Sequence, residues 1–360
     1  MNFWILVLAL FLEASVVLFS QNTQKPKNII ILIGDGMGIS YVSTSILQSP
    51  DSPFRRFTTT GFSVTCSADN LITDSAAGAT ALSTGYRTKN HYVGVDTIGN
   101  TITNIFEVAE KINLSTGLVV TSTVTHATPA AFVSHVISRN EETKIANQFL
   151  DIDLDVVIGG GAKYFFQYDS IKGCTHFDEL KSKQYTIFQS ADELTACIPD
   201  NKFYALLELE SFKKANERNY SLAELTYKAI QFLSKNENGF VLMVEGSQID
   251  WAGHNNNPEE ALVEMNDFSQ AISVSLDFAE NNEETLVLVT ADHETGGLAL
   301  TEGKIDGSEL SLKFVTKHHT AEVVGVFAFG PGSEQFNGIN DNYIIGRKLI
   351  QLINPYFNFS

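Results

Sequence analysis

Six short apolar runs, at 28–34, 117–123, 155–159, 239–245, 284–292 and 323–330, alternate along this chain with six stretches of helical period, at 37–47, 104–112, 141–150, 221–234, 258–279 and 341–352. A continuous apolar run bounded by Gly, Asp or Thr suits a strand covered on both faces, the condition that a parallel sheet imposes. The alternation therefore predicts an α/β fold: a mostly parallel central β-sheet sandwiched between helices. With 44% of 360 residues apolar, the chain has material for a large core, which excludes wholesale disorder. No repeat, low-complexity tract or Pro/Ser-rich linker divides it. Residues 21–360 read as a single domain, with the polar stretch 163–219 as an insertion on its rim.

Charge narrows the partners. With 24 Lys+Arg against 42 Asp+Glu the formal net charge is −18, and no basic run overrides it, so neither nucleic acid nor an anionic lipid surface is an expected partner. Residues 1–20 are mainly apolar but interrupted by Glu13, shorter than the roughly 20 residues of a spanning helix. They read as a cleaved export signal, placing the mature protein in the periplasm or outside the cell, with no later membrane span. Export permits disulfides, yet three cysteines allow at most one. Cys174 and Cys197 are the candidate pair, and three free thiols is the alternative.

In open α/β sheets the reactive groups gather past the carboxyl ends of the strands. The first run ends in Gly34-Asp35-Gly36-Met37-Gly38, which fails the Gly-x-Gly-x-x-Gly dinucleotide pattern because position 39 is Ile. Asp35 is then either an ordinary turn residue or a carboxylate aimed into a cavity. In Thr73-Asp74-Ser75, followed by small residues up to Gly85, Ser75 falls at or just inside a helix N-terminus. It is an N-cap region on the plain reading. On the sharper one, it is a hydroxyl in an anion site that could act as a nucleophile. Thr128 and Arg139 follow the 117–123 run and by themselves say little. Glu245 ends the next run, and Asp250 and His254 lie four residues apart on one helical face, a spacing that lets two side chains share a metal. Asp292 and His293 follow the 284–292 run, and His319 precedes the last. Asp, Glu and His together suit Zn²⁺ at nitrogen-rich positions and Mg²⁺ at oxygen-only ones.

Six blocks in this order, GDGMG, TDSAAGATALSTG, THATPAAF with Arg139 beyond it, MVEGSQIDWAGH, TADHETGG and HHT, resemble the alkaline phosphatase family across about residues 28–350. The resemblance implies hydrolysis of small-molecule phosphate monoesters at alkaline pH through a phosphoserine on Ser75, with two zinc ions and one magnesium ion. It assigns Asp250, His254 and His319 to one zinc, and Asp35, Asp292, His293 and the Ser75 oxygen to the other. Thr128 and Glu245 would complete the magnesium site with Asp35, with His126 just outside it. Arg139 would hold the phosphoryl group in a bidentate fork, with Asp74 and Trp251 as supporting neighbours. Trp251 stands where some members carry Lys, and His126 where some carry Asp. Family habit also implies a homodimer, although the short interval from His293 to His319 leaves little room for an elaborated surface domain.

Three rival readings have sequence tests. A sulfatase needs a Cys/Ser-x-Pro-Ser-Arg context, which Cys66-Ser67-Ala68-Asp69-Asn70 does not supply. A phosphodiesterase of the same superfamily would not call for Thr128, Glu245 and Arg139 together. An exported metal- or phosphate-binding protein without turnover would have no use for Ser75.

Overall fold

The computed structural model describes residues 25–197 and 199–359; the expected export signal, 1–20, lies outside them. Ten strands form the main sheet. They are β1 (Asn28–Gly34), β2 (Thr59–Val64), β3 (Ser115–Thr123), β4 (Val156–Gly160), β5 (Thr186–Phe188), β6 (Phe203–Glu208), β7 (Phe240–Gly246), β8 (Thr285–Thr290), β9 (Val324–Phe329) and β10 (Gly338–Asp341). Their order is β10-β2-β9-β8-β1-β7-β3-β4-β6-β5. Every neighbouring pair is parallel except those that involve β9, which runs against both β8 and β2. This is the mostly parallel sheet that the apolar runs predicted.

Strand β1 shows why such a run need not alternate. Ile29, Ile31 and Ile33 pack into the layer of helices α2 (Ser75–Thr84), α3 (Ile105–Lys111) and α7 (Asn342–Ile353). Ile30 and Leu32 pack on the other face against α1 (Ile39–Gln48), α4 (Leu222–Leu233) and α6 (Pro258–Asn282). All five are fully buried, each worth about 2 kcal/mol of transfer free energy. Helix boundaries follow their caps: Asn104 with Glu107 and Ser221 with Glu224 form reciprocal capping boxes at the starts of α3 and α4.

The segment 163–219, expected on its polarity to be a rim insertion, contains β5 and β6, which form one edge of the main sheet. β6 is buried through Leu207, yet its sequence FYALLE is too short to separate from a helical turn by periodicity alone. β2 escaped notice for a different reason: it alternates exposed and buried positions around Gly61 and has no apolar run. Cys66, Cys174 and Cys197 are all free thiols, so the candidate Cys174–Cys197 bridge is absent.

Candidate active site

The strand polarity collects the reactive groups at one edge. Asp35 follows β1, Glu245 is the penultimate residue of β7, Asp292 and His293 follow β8, and Thr128 lies in a short helical turn (Ala127–Ala130) after β3. His319 precedes β9, and because β9 is antiparallel its start lies at the same edge as the ends of the others.

Ser75 is the first residue of α2. Asp74 caps the helix, its Oδ1 accepting from Ala77 N at 3.0 Å, and Gly85 closes it in the left-handed conformation. Both readings of this segment hold together: the cap is real, and it leaves the Ser75 hydroxyl at the positive end of the helix, 2% exposed. Ser75 Oγ lies 3.2 Å from His293 Nε2, which in turn is 3.3 Å from Asp292 Oδ2 and 3.5 Å from Asp35 Oδ1.

A second cluster lies beside it. Asp250 and His254 occupy adjacent turns of α5 (Gln248–Asn255), and His319 Nε2 is 3.1 Å from His254 Nε2 and 3.5 Å from Asp250 Oδ1. The ring of His319 stacks on that of His293 with centroids 3.6 Å apart, so the two clusters are contiguous. Hydrogen bonding fixes the tautomers. His254 Nδ1 donates to Lys317 O at 2.6 Å and His319 Nδ1 to Thr73 O at 2.9 Å, since a carbonyl only accepts. In the neutral rings both Nε2 lone pairs therefore face one another and the Asp250 carboxylate. Three acceptors that converge here, with the Thr295 hydroxyl donating to one Asp250 oxygen, suit a cation.

The third group comprises Asp35, Glu245 and His126, whose ligand atoms lie within 4.8 Å of one another, as do those of Asp35, Asp292 and His293 and those of Asp250, His254 and His319. Asp35 belongs to two of the three groups. His126, placed outside the oxygen ligands by sequence, comes within direct ligating reach. Ser247 Oγ and Ser122 Oγ donate to Glu245 Oε2 at 2.7 and 3.3 Å, and Thr128 Oγ1 is buried with no hydrogen-bond partner. Both Asp35 oxygens, Asp292 Oδ2, Glu245 Oε1 and His126 Nδ1 are buried with no hydrogen-bond partner. Unpaired polar atoms are costly to bury, and their concentration here matches a donor set awaiting metal.

The electrostatics agree. Burial, then the charges of Asp292, Asp250 and Glu245, push the Asp35 carboxyl well above its ordinary range. Burial lifts Glu245 to about 7 and Asp292 to about 6. Burial would also raise Asp250, but its bond to His254 and the neighbouring imidazoles outweigh that and hold it low. The Asp250 bond raises His254, while burial lowers His126, His293 and His319 to about 4.

Arg139 faces the same opening. Its Nη1 donates to Asp74 Oδ2 and its Nη2 meets His126 Nε2, both at 3.2 Å, so two neighbours fix the guanidinium plane. Trp251 stands edge-on to His126, with ring centroids 6.2 Å apart. The catalytic and metal-ligand candidates from the sequence thus fall in this one region. Two residues that the sequence reading passed over also belong to it: His91, whose N–H donates to Asp74 Oδ2 at 3.1 Å, and Thr295, whose hydroxyl contacts Asp250. Neither residue type carries a signal that would have separated it from a loop residue. A cavity of about 1240 Å³ beside Arg218 and Asp267 involves none of these groups.

A metal-demanding carboxylate and imidazole centre around a helix-terminal serine, at the carboxyl edge of a parallel sheet, defines a metallohydrolase. The sequence profile of the alkaline phosphatase family matches residues 26–313. Alkaline phosphatase 4 of Bacillus subtilis (strain 168) is 33% identical over 408 aligned residues, covering 89% of this chain and 87% of that one. The alkaline phosphatase of the Antarctic bacterium TAB5 superposes with a TM-score of 0.86 at 39% identity, over 92% of this chain and 98% of that chain. A variant of the TAB5 enzyme holds Mg in its M3 site. The chain belongs to the alkaline phosphatase family. It is a metal-dependent enzyme that hydrolyses phosphate monoesters.

Proposed function

We propose that Asp250, His254 and His319 hold one zinc ion, that Asp35, Asp292, His293 and Ser75 Oγ hold a second, and that Asp35, Thr128, Glu245 and His126 hold magnesium. The observation that carries this reading is the convergence of ligand atoms from Asp250, His254 and His319 beside the orphaned oxygens of Asp35 and Asp292. The nitrogen-rich pair of groups suits zinc, and the third, richer in oxygen, suits magnesium, the ion bound in the M3 site of the TAB5 variant. When bound, the zinc ions would lower the pKa of the Ser75 hydroxyl and stabilise the departing oxygen.

Ser75 Oγ then attacks phosphorus in line with the ester oxygen. An Oγ–P bond forms, the P–O bond to the alcohol breaks, and a phosphoserine results. Water attacks from the opposite side and releases inorganic phosphate, returning the serine. The Arg139 fork, held by Asp74 and His126, grips two phosphoryl oxygens, while the Ser75 N–H at the start of α2 offers a third contact. Asp74 is thus both helix cap and aligner of the phosphate clamp. Trp251 occupies a place at which a lysine could contact phosphate, so the product is held by fewer charges and leaves faster.

The same reading makes residues 21–360 one exported domain that works as a homodimer. Among the described residues no helix is long and apolar enough to cross a membrane, which fits release after export.

Acid quenching during turnover of a labelled aryl phosphate tests the chemistry. Label is expected on Ser75, and Ser75→Ala is expected to lower kcat by about a thousand-fold or more while metal content is kept. Undiminished turnover in Ser75→Ala would refute the covalent route.

A further inference from the structure

We infer that Thr295 is a positioning residue shared by both zinc groups, and that its hydroxyl couples their metal affinities. The inference rests on the two-zinc reading above and goes beyond it. Thr295 is fully buried. Its Oγ1 donates to Asp250 Oδ1 and lies 3.2 Å from His293 Nδ1. One hydroxyl has one proton and two lone pairs, so these contacts assign one another. The proton goes to the Asp250 carboxylate, and a lone pair accepts from His293 Nδ1–H. That polarity leaves His293 Nε2 unprotonated, facing Asp35, Asp292 and Ser75 Oγ, which is the tautomer a metal needs. A residue of one zinc group and a residue of the other are thereby oriented by a single oxygen.

The rest of Thr295 is tied just as closely. Its N–H donates to Gly36 O at 3.0 Å, beside the bridging Asp35, and its carbonyl accepts from Tyr41 Oη at 2.7 Å. It pairs with His319 in the two-residue ladder Glu294–Thr295 with His319–Thr320, so it also sets the height of the third ligand of the first group. Gly36 shows how tightly the hydroxyl is enclosed: at φ +69° a Cβ there would lie 2.7 Å from Thr295 Oγ1 and 3.0 Å from Asp250 Oδ1. Glycine leaves the room that the hydroxyl and carboxylate occupy. A threonine used only for packing would not need both polar contacts, and β-branching restricts χ1 and so the positions open to the oxygen.

The test is zinc affinity, read by competition with a chromophoric chelator on the whole enzyme, together with the melting temperature of the metal-free protein. Thr295→Val keeps the volume and removes the hydroxyl, and is expected to weaken both zinc ions by about ten- to a hundred-fold. Thr295→Ser, which restores the hydroxyl, is expected to stay within about three-fold of wild type. If Thr295→Val is too unstable to purify, Thr295→Ala against Thr295→Ser supplies the same comparison. Wild-type affinity at both sites in the Val or Ala variant would overturn the inference. So would weakening of one site with the other unchanged, and so would equal loss in the Ser variant. A purely structural role would lower the metal-free melting temperature without moving zinc affinity. A wild-type enzyme that takes up fewer than two zinc ions would instead refute the two-zinc reading.

Discussion

Burial of Glu245 and Asp292 ties metal binding to protons. Their carboxyls titrate near 7 and 6 in the folded metal-free protein, above their ordinary values, so the folded chain holds those protons more tightly than the unfolded one. Their contribution to stability is complete below about pH 4 and is lost as the pH rises through 6 to 7. Metal takes the same groups as carboxylates and removes that penalty. The drop in melting temperature on chelation is therefore expected to be small at pH 5.5 and large at pH 8.5. His126, His293 and His319, lowered to about 4, are already neutral across that range and do not compete for protons. A chelation effect independent of pH would contradict this account. At the same scale, Trp251→Lys adds a cation beside the phosphate site and is expected to lower the phosphate inhibition constant by about ten-fold. A constant no lower than that of wild type would show that Trp251 does not face the product. Most of the centre was legible at this scale because Asp and His beyond buried strands are chemically conspicuous. Thr295 was not, because in sequence a hydroxyl outside any apolar run looks the same whether it is buried against a ligand or meets solvent.

Helix α2 and its cap give the element-scale prediction. Asp74 Oδ1 caps the helix while Oδ2 takes Arg139 and the His91 N–H. Asp74→Asn keeps a capping oxygen but weakens the grip on the guanidinium, whereas Asp74→Ala loses both. Both variants are expected to raise KM. Only the alanine variant is expected to lose a further ~1 kcal/mol of stability, measurable by urea unfolding of the metal-loaded enzyme. Equal stability in the two would mean that the cap contributes nothing. Most elements were readable in proportion to their burial, with the buried but short β6 the exception. The central strand β1 matched its apolar run residue for residue, since both faces are covered. The edge strands β5 and β10 are three and four residues long and carry no apolar run. Their place in the sheet is set by pairing with distant strands, information that no local window holds.

Over the whole molecule a formal charge of −18 surrounds a centre that must attract a dianion. The long-range field opposes the approach of substrate, and only the local cations and Arg139 reverse it near the site. Raising inert salt from about 10 to 150 mM shortens the Debye length from ~30 to ~8 Å. kcat/KM for a phosphate monoester is expected to rise about two-fold or more over that range. A fall would mean that a positive funnel dominates the encounter. The overall architecture was evident from the alternation of runs and helices. The antiparallel course of β9, which returns His319 to the reactive edge, was not, because chain direction leaves no trace in composition.

Anomalous diffraction at the zinc absorption edge, from crystals of the metal-loaded enzyme, tests the central claim most directly. The account predicts two zinc peaks roughly 4 Å apart, one among Asp250, His254 and His319, the other among Asp35, Asp292, His293 and the Ser75 oxygen. A single zinc, or zinc held elsewhere with Ser75 turned away from it, would contradict the account.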